Sequence, residues 1–175
     1  MQRLLLLFIM LTIFVGCASA RQTQVNTEVI TPAGSAIYFD ADSESPQNYS
    51  NENAILYLPF PANLGVINSV HNGQQLHVLI LSPSLKSGTF LNITPLGAFE
   101  IVERGESRDL ILAIPADPKL QVIKSPTLDQ LRLNYSGVIE ILEIWIANHK
   151  GENSIAIKAL HDEQKATKIL NDLLK

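Results

Sequence analysis

Three acidic side chains, Asp40, Asp42 and Glu44, alternate with small residues directly after a short apolar run. Carboxylates spaced in this way can converge on a hard cation such as Ca²⁺. An EF-hand loop does not fit, because Ser45 stands where glycine is needed and Asn51 where a bidentate glutamate is needed. The segment therefore predicts either solvated loop acids or a weak Ca²⁺ site, and no other cofactor is indicated.

The same segment also permits a catalytic interpretation. A strand that ends in Asp-x-Asp is similar to the opening of the haloacid dehalogenase phosphatases, and the resemblance implies Asp40 as a nucleophile. That family needs a parallel sheet with crossover helices, whereas no helical pattern precedes about residue 158. A metal-dependent hydrolase is therefore kept only as a third alternative.

Other catalytic patterns are missing from the sequence. It contains no G-x-S-x-G, no S-x-x-K and no phosphate-binding glycine loop. The four histidines, His71, His77, His149 and His161, show no spacing typical of zinc ligands. We therefore expect a protein without catalytic activity.

The N-terminus has the composition of an export signal. A charged start ending at Arg3 is followed by the apolar run Leu4–Val15, which is broken only by Thr12. The run is too short for a comfortable transmembrane helix. Residues 1–16 are therefore predicted to be a signal peptide.

A cysteine follows this run directly. The segment Phe14-Val15-Gly16-Cys17 resembles the lipobox of bacterial lipoproteins, which implies cleavage before Cys17 and its acylation. By the same resemblance, Ala18 after the cysteine favours the outer membrane, with the protein facing the periplasm. Ala18-Ser19-Ala20 can also serve as an ordinary cleavage site, which would give a soluble periplasmic protein. Cys17 is the only cysteine, so an intrachain disulfide is excluded.

Composition and residue pattern predict the domain organisation around the candidate residues. The chain has 175 residues, is 46% hydrophobic and carries a net charge of −4, which suits one globular domain and gives no electrostatic footprint for nucleic acid. After Cys17, residues 17–35 are polar and rich in turn formers, which predicts a flexible tether. Residues 36–158 are predicted to form the β domain and residues 159–175 a helix.

Short β-branched and aliphatic runs recur through the β domain, bounded by Gly, Pro, Asn and Ser. The fold class they predict is mainly β, an antiparallel, jelly-roll-like sandwich with a C-terminal α-helix. A polar loop over residues 104–109 predicts a hairpin, and a change of phase near Leu142 predicts a β-bulge. The predicted strands are 36–40, 54–58, 75–81, 90–94, 98–103, 110–114, 120–123, 131–135 and 138–147.

The last predicted element is an amphipathic helix. Its apolar residues recur at helical spacing at Ala166, Ile169, Leu170, Leu173 and Leu174. This stripe must be buried for so short a helix to be stable. Either the sandwich or a partner protein can cover it, and the sequence leaves both alternatives open.

Two resemblances suggest ligands for the domain. Residues 131–146 look like the closing strand pair of galactose-binding-like jelly-roll modules, which implies sugar stacking on aromatic side chains such as Tyr49, Tyr135 and Trp145. Residues 38–43 and 165–173 are similar to the two ends of the peptidoglycan-binding OmpA-like domain.

Together these patterns predict a lipid-anchored periplasmic binding or scaffolding protein of the cell envelope. Its expected partners are the membrane, through the lipid anchor, and an envelope protein. The alternative from another class is a carbohydrate- or peptidoglycan-binding module.

Overall fold

A computed structural model describes residues 25–36, 58–71, 74–151 and 153–173 of the chain. Among these residues, no helix is long and apolar enough to cross a membrane.

Five strands close into a barrel, and a sixth is added on its outside. In chain order the strands are β1 (Val25–Thr31), β2 (Asn63–His71), β3 (Gln74–Ile80), β4 (Phe90–Glu103), β5 (Glu106–Pro115) and β6 (Ile155–His161). The sheet follows the order β1-β2-β3-β5-β4-β6, and an additional pairing of β1 with β4 closes the first five strands. The β3–β5 pair is parallel and the other described pairs are antiparallel. This is the five-stranded barrel architecture of OB folds.

The barrel closes on β4, which is 14 residues long. Residues 90–93 pair with β1, residues 98–103 pair with β6, and β5 pairs along most of the strand. A Cβ atom at Gly97 would lie only 2.6 Å from the backbone oxygen of His161. Glycine is therefore required where β4 passes this close to the end of β6.

Both faces of the sheet are buried. One face, which includes Leu79, packs against helices α1 (Leu128–Asn134) and α2 (Ser136–Asn148). The other face, which includes Val78, packs against α3 (Glu163–Leu173). Neighbouring residues of β3 thus enter opposite cores, which explains why this strand is a nearly continuous apolar run.

Asn63, the first residue of β2, joins three segments of backbone. Its Oδ1 accepts hydrogen bonds from the backbone N–H groups of Ala33 and Leu85, each at 2.9 Å. Its Nδ2 donates to Ser82 Oγ and to the carbonyl oxygen of Pro83, also at 2.9 Å. The side chain is completely buried, and it supplies partners for backbone groups that lie away from any strand ladder.

The mainly β character and the C-terminal helix are confirmed, but the strands do not form the expected antiparallel sandwich. They make one mixed sheet that closes on itself. The parallel β3–β5 pair and the β1–β4 pair join strands that are distant in sequence. Strand patterns show which residues face inward, but they do not show which distant strands pair.

The strands expected at 131–135 and 138–147 are wrong, because these residues belong to α1 and α2. The buried residues Ile139, Leu142 and Ile146 recur at helical spacing. The change of phase near Leu142 is therefore the helical period rather than a bulge. The resemblance to jelly-roll modules depended on a strand pair here and is also wrong.

The flexible tether expected over residues 17–35 is wrong for the part that forms β1. Strand β1 pairs with both β2 and β4, and its side chains alternate between inward and outward positions. Thr27 and Thr31 are fully buried beside Val25 and Val29. The sequence looked polar because threonine occupies half of the inward-facing positions.

The predicted C-terminal helix is confirmed as α3, with its start at Glu163. Asp162 caps it, since Oδ1 accepts hydrogen bonds from the backbone N–H groups of Gln164 at 3.1 Å and Lys165 at 3.0 Å. The boundary expected at residue 159 falls inside β6. The strand expected at 120–123 is absent there, and a single 3₁₀ turn, Pro118–Leu120, precedes an irregular segment.

Candidate functional site

Charged side chains gather at the end of the barrel where β4 turns into β5. We call them the hairpin charge cluster, which consists of Glu103, Arg104, Glu106, Arg108 and Lys150. Four of them belong to the β4–β5 hairpin, and Lys150 follows the end of α2. Strand β6 pairs with this part of β4, and the segment after α2 leads into it.

The hairpin itself was predicted from the sequence and is confirmed, but its turn is only two residues long. Arg104 and Gly105 both have positive φ, 51° and 86°. Glu103 therefore pairs directly with Glu106, and Ile101 with Arg108. Positive φ at both central positions matches the right-handed twist of the strands and favours Asn or Gly. An arginine in this conformation is unusual.

The C-terminus of α2 presents Lys150 to the hairpin. The His149 N–H donates to the Trp145 carbonyl oxygen at 2.9 Å, and the Gly151 N–H donates to the Asn148 carbonyl oxygen at 2.9 Å. Gly151 has a φ of 133°, a conformation that glycine adopts readily. Lys150 Nζ then lies 2.7 Å from Glu103 Oε1 and donates a hydrogen bond to it. This contact ties the helix end to the barrel.

An aromatic stack anchors the same helix end. The rings of Trp145 and His149, one helical turn apart, are stacked with centroids 4.2 Å apart and an interplanar angle of 9°. Phe60 packs on Trp145 at a centroid distance of 4.5 Å. Because Phe60 precedes β2, the stack joins α2 to the barrel next to Lys150.

His149 is neutral at neutral pH. The pKa of its ring is lowered to about 4, mainly by burial and to a lesser extent by the charge of Lys150, against the opposing effect of a hydrogen bond to the Ile146 carbonyl oxygen. Nδ1 lies 3.0 Å from that oxygen. In the neutral ring Nδ1 must therefore carry the proton, since a carbonyl oxygen can only accept.

Glu103 is ionised and surrounded by positive charge. Burial alone would raise the pKa of its carboxyl, but the hydrogen bond from Lys150 and the charges of Lys150, Arg108 and Arg104 lower this pKa below its usual value. Arg108 Nη1 is 3.9 Å from Glu103, and Nη2 is 3.1 Å from Glu106.

The hairpin charge cluster thus holds three cations and two carboxylates, which gives these five side chains a net charge of +1. Guanidinium and ammonium groups held in this way are suited to bind the oxygens of phosphate or carboxylate ligands.

The described donors do not form a group that could hold a metal ion by itself. Within residues 25–36, 58–71, 74–151 and 153–173, no group of three or more His, Cys, Asp or Glu side chains could hold an ion. The acids predicted to bind Ca²⁺, Asp40, Asp42 and Glu44, lie outside the described residues.

The predicted stacking residues do not form a common surface. Trp145 is only 6% exposed and belongs to the core beneath α2, so it is not a platform for sugars. Tyr135 lies at the junction of α1 and α2 and packs against the same core. Tyr49 lies outside the described residues, as does the lipidation candidate Cys17.

The helix proposed for partner binding packs against its own domain. Ile169 and Leu170 are buried in the core that α3 shares with the barrel, and Leu173 packs against it. These side chains are not available to a partner protein in this structure. Leu174 lies outside the described residues.

Sequence reasoning missed the hairpin charge cluster. The loop over residues 104–109 was recognised only as polar, although its arginines carried a usable signal: a basic residue at a glycine turn. Lys150 carried no such signal, because the segment before it was interpreted as a strand rather than as a helix ending at Asn148.

Solved structures share this fold. An inorganic pyrophosphatase from Neisseria gonorrhoeae superimposes with a TM-score of 0.70 at 23% identity, covering 86% of this chain and 88% of that chain. An inorganic pyrophosphatase from Thermus thermophilus gives a TM-score of 0.69 at 16% identity, covering 89% of this chain and 91% of that chain.

A comparison with curated protein sequences finds no significant match. The family model for inorganic pyrophosphatase, however, matches residues 27–175, which span the barrel and all three helices. Because this match covers most of the chain, the protein belongs to the inorganic pyrophosphatase family.

Proposed function

We propose that the chain hydrolyses inorganic pyrophosphate to two phosphate ions. The observation that carries this proposal is the family match over residues 27–175. The hairpin charge cluster supports it, because excess positive charge at the end of the barrel favours a small polyanion. In the reaction, the oxygen of water bonds to one phosphorus as the bond from that phosphorus to the bridging oxygen breaks, and a proton lost by the water is taken up by the leaving phosphate.

Membership in this family corrects the expectation of a non-catalytic binding or scaffolding protein, because inorganic pyrophosphatases are hydrolases. It also corrects the recognition of the chain as a bacterial lipoprotein and the expected role in envelope assembly, which nothing in the comparisons supports. The leader over residues 1–16 lies outside the described residues, and export through it stays a prediction.

The cluster suggests a division of roles. Lys150 and Arg108 are held in place by carboxylates, so they can meet a phosphate group without first losing side-chain freedom. Glu103 is a positioning residue, since it accepts the hydrogen bond from Lys150 and lies within reach of Arg108.

Pyrophosphatases generally need divalent metal ions such as Mg²⁺. We include this requirement in the proposed function, and it replaces the expectation of no cofactor beyond a weak Ca²⁺ site. Since the described donors form no group that could hold a metal ion by itself, we assign no step of the reaction to the ion.

The test is release of phosphate from pyrophosphate by the full chain, with Mg²⁺ and separately with Ca²⁺. Lys150→Gln should lower the rate by about tenfold or more, because it removes one of the cations that this proposal assigns to the phosphate groups. Lys168→Gln, which removes an equal charge from the exposed side of α3, should leave the rate unchanged. Failure of the wild-type chain to release phosphate with either ion would refute the proposed function.

A further inference from the structure

The positive charge of the hairpin charge cluster stands out against the whole chain, whose net charge is −4. Its three cations come from two parts of the chain, with Arg104 and Arg108 on the hairpin and Lys150 after α2. The ionised Glu103 orders two of these cations without neutralising all three.

Arg104 occupies a backbone position that its residue type does not favour. Its φ of 51° lies in the left-handed region, where a two-residue hairpin turn prefers Asn, Asp or Gly. The side chain is exposed, so core packing does not account for an arginine here. An unfavoured backbone conformation at an exposed residue points to a role for the side chain itself.

Arg108 has donor capacity beyond its ion pairs. Nη2 donates to Glu106 at 3.1 Å, whereas Nη1 lies 3.9 Å from Glu103, which is too far for a hydrogen bond and leaves its N–H groups to a ligand. A planar guanidinium held from two sides by carboxylates is also oriented in advance for phosphate oxygens.

The cluster thus offers three cations to a polyanion, and nowhere among the described residues do three His, Cys, Asp or Glu side chains gather to hold a metal ion. We propose that Arg104, Arg108 and Lys150 bind pyrophosphate directly, through charge-assisted hydrogen bonds that do not depend on a divalent cation. This inference rests on the proposed function in taking pyrophosphate as the ligand. It goes further in separating binding, which these three side chains supply, from the metal requirement of hydrolysis.

The experiment is calorimetric titration of pyrophosphate into the full chain at low ionic strength, once in excess EDTA and once with Mg²⁺. We expect saturable binding in EDTA that weakens as salt is added. Arg104→Asn should weaken this binding by about two- to fivefold, the range for one solvent-exposed charge contact. Arg104→Lys keeps the charge and should recover most of the affinity.

At residue 104, the effect of a substitution on stability can be separated from its effect on charge. Asparagine suits the turn better than arginine, so Arg104→Asn should melt at the same temperature as the wild type or higher. Lys168→Gln on α3 is the matched control for net charge and should bind pyrophosphate as the wild type does.

Binding only in the presence of Mg²⁺ would overturn the inference, even if hydrolysis is observed. Equal affinities for the wild type and Arg104→Asn would overturn it as well. Binding in EDTA that Arg104→Asn weakens, without phosphate release under any condition, would support it and refute the proposed function alone.

Discussion

Acid should weaken this fold through one buried side chain, His149. Its ring is stacked on Trp145 and donates to the Ile146 carbonyl oxygen, and burial lowers its pKa from the ordinary 6.5 to about 4. In the unfolded chain the ring is solvated and takes up a proton near its ordinary pKa. Between these two pKa values the unfolded state therefore binds more protons than the folded state.

The sign and the size of the effect follow from this difference. When the unfolded state binds more protons, the free energy of unfolding rises with pH. The contribution is fully present above pH 6.5 and is lost as the pH falls to about 4. One pKa unit corresponds to about 1.4 kcal/mol, so a shift of this size contributes about 3 kcal/mol at most.

The assay is urea unfolding of the wild type and of His149→Phe at several pH values between about 4 and about 7.5. Phenylalanine keeps an aromatic ring on Trp145 but cannot be protonated. It also leaves the Ile146 carbonyl without its donor, so the variant should be about 1 kcal/mol less stable at neutral pH.

The wild type should lose more stability than the variant between about pH 6.5 and about pH 4, by about 2 to 3 kcal/mol. Carboxylates such as Glu103 titrate in both proteins, so the comparison removes their contribution. Parallel pH profiles for the two proteins would show that His149 is not a buried neutral residue.

Three further substitutions test the packing, each by chemical denaturation. Asn63→Leu should cost about 3 to 5 kcal/mol, because it leaves two backbone N–H groups without the acceptor they share; an effect below about 1 kcal/mol would mean that water replaces the amide. Leu170→Ala should cost about 2 to 5 kcal/mol, whereas Leu133→Ala, at a position 82% exposed, should cost far less; equal effects would contradict burial of α3 against the barrel. Gly97→Ala should cost about 1 to 3 kcal/mol, since the added Cβ meets a backbone oxygen of β6; a neutral effect would show that β6 can shift freely.

The sequence predicted those strands, turns and helices whose pattern lies within a few consecutive residues. Strands β3 and β5 are apolar runs bounded by turn formers, and the hairpin after Glu103 and the helix α3 carry equally local signals. Strand β1 was not predicted, because Thr27 and Thr31 count as polar in any hydropathy pattern, although a strand can bury their methyl groups. Barrel closure could not be predicted, because it depends on pairing between β1 and β4, which are distant in sequence.

Helix α2 was misinterpreted for a different reason. Its residues Ile139, Ile141, Ile144 and Ile146 are β-branched, and such residues favour strands where nothing else decides. Two of them, Ile141 and Ile144, remain more than half exposed on the outer side of the helix. Apolar residues on both sides of α2 blurred the amphipathic stripe that would have identified it.

The error in α2 also explains why the candidate site was missed. Glu103 and Lys150 are 47 residues apart, and they meet only because α2 ends at Asn148 and returns the chain toward β6 beside the hairpin. If residues 138–147 are taken as a strand, the sequence does not predict where Lys150 lies relative to the hairpin. A site formed by a helix end and a distant turn leaves no motif among consecutive residues. The acidic run that begins at Asp40 was easy to recognise, because all its members are neighbours in sequence.

The neutral His149 and the charged Lys150 are physically linked. A protonated ring at His149 would place a second positive charge next to Lys150, and this repulsion is one reason why the pKa of His149 lies below its ordinary value. The stack on Trp145 therefore fixes the helix end without adding charge, and the positive charge of the region stays with side chains that can face a ligand. A charged anchor at His149 would compete with Lys150 for Glu103, which is the contact that holds Lys150 in the hairpin charge cluster.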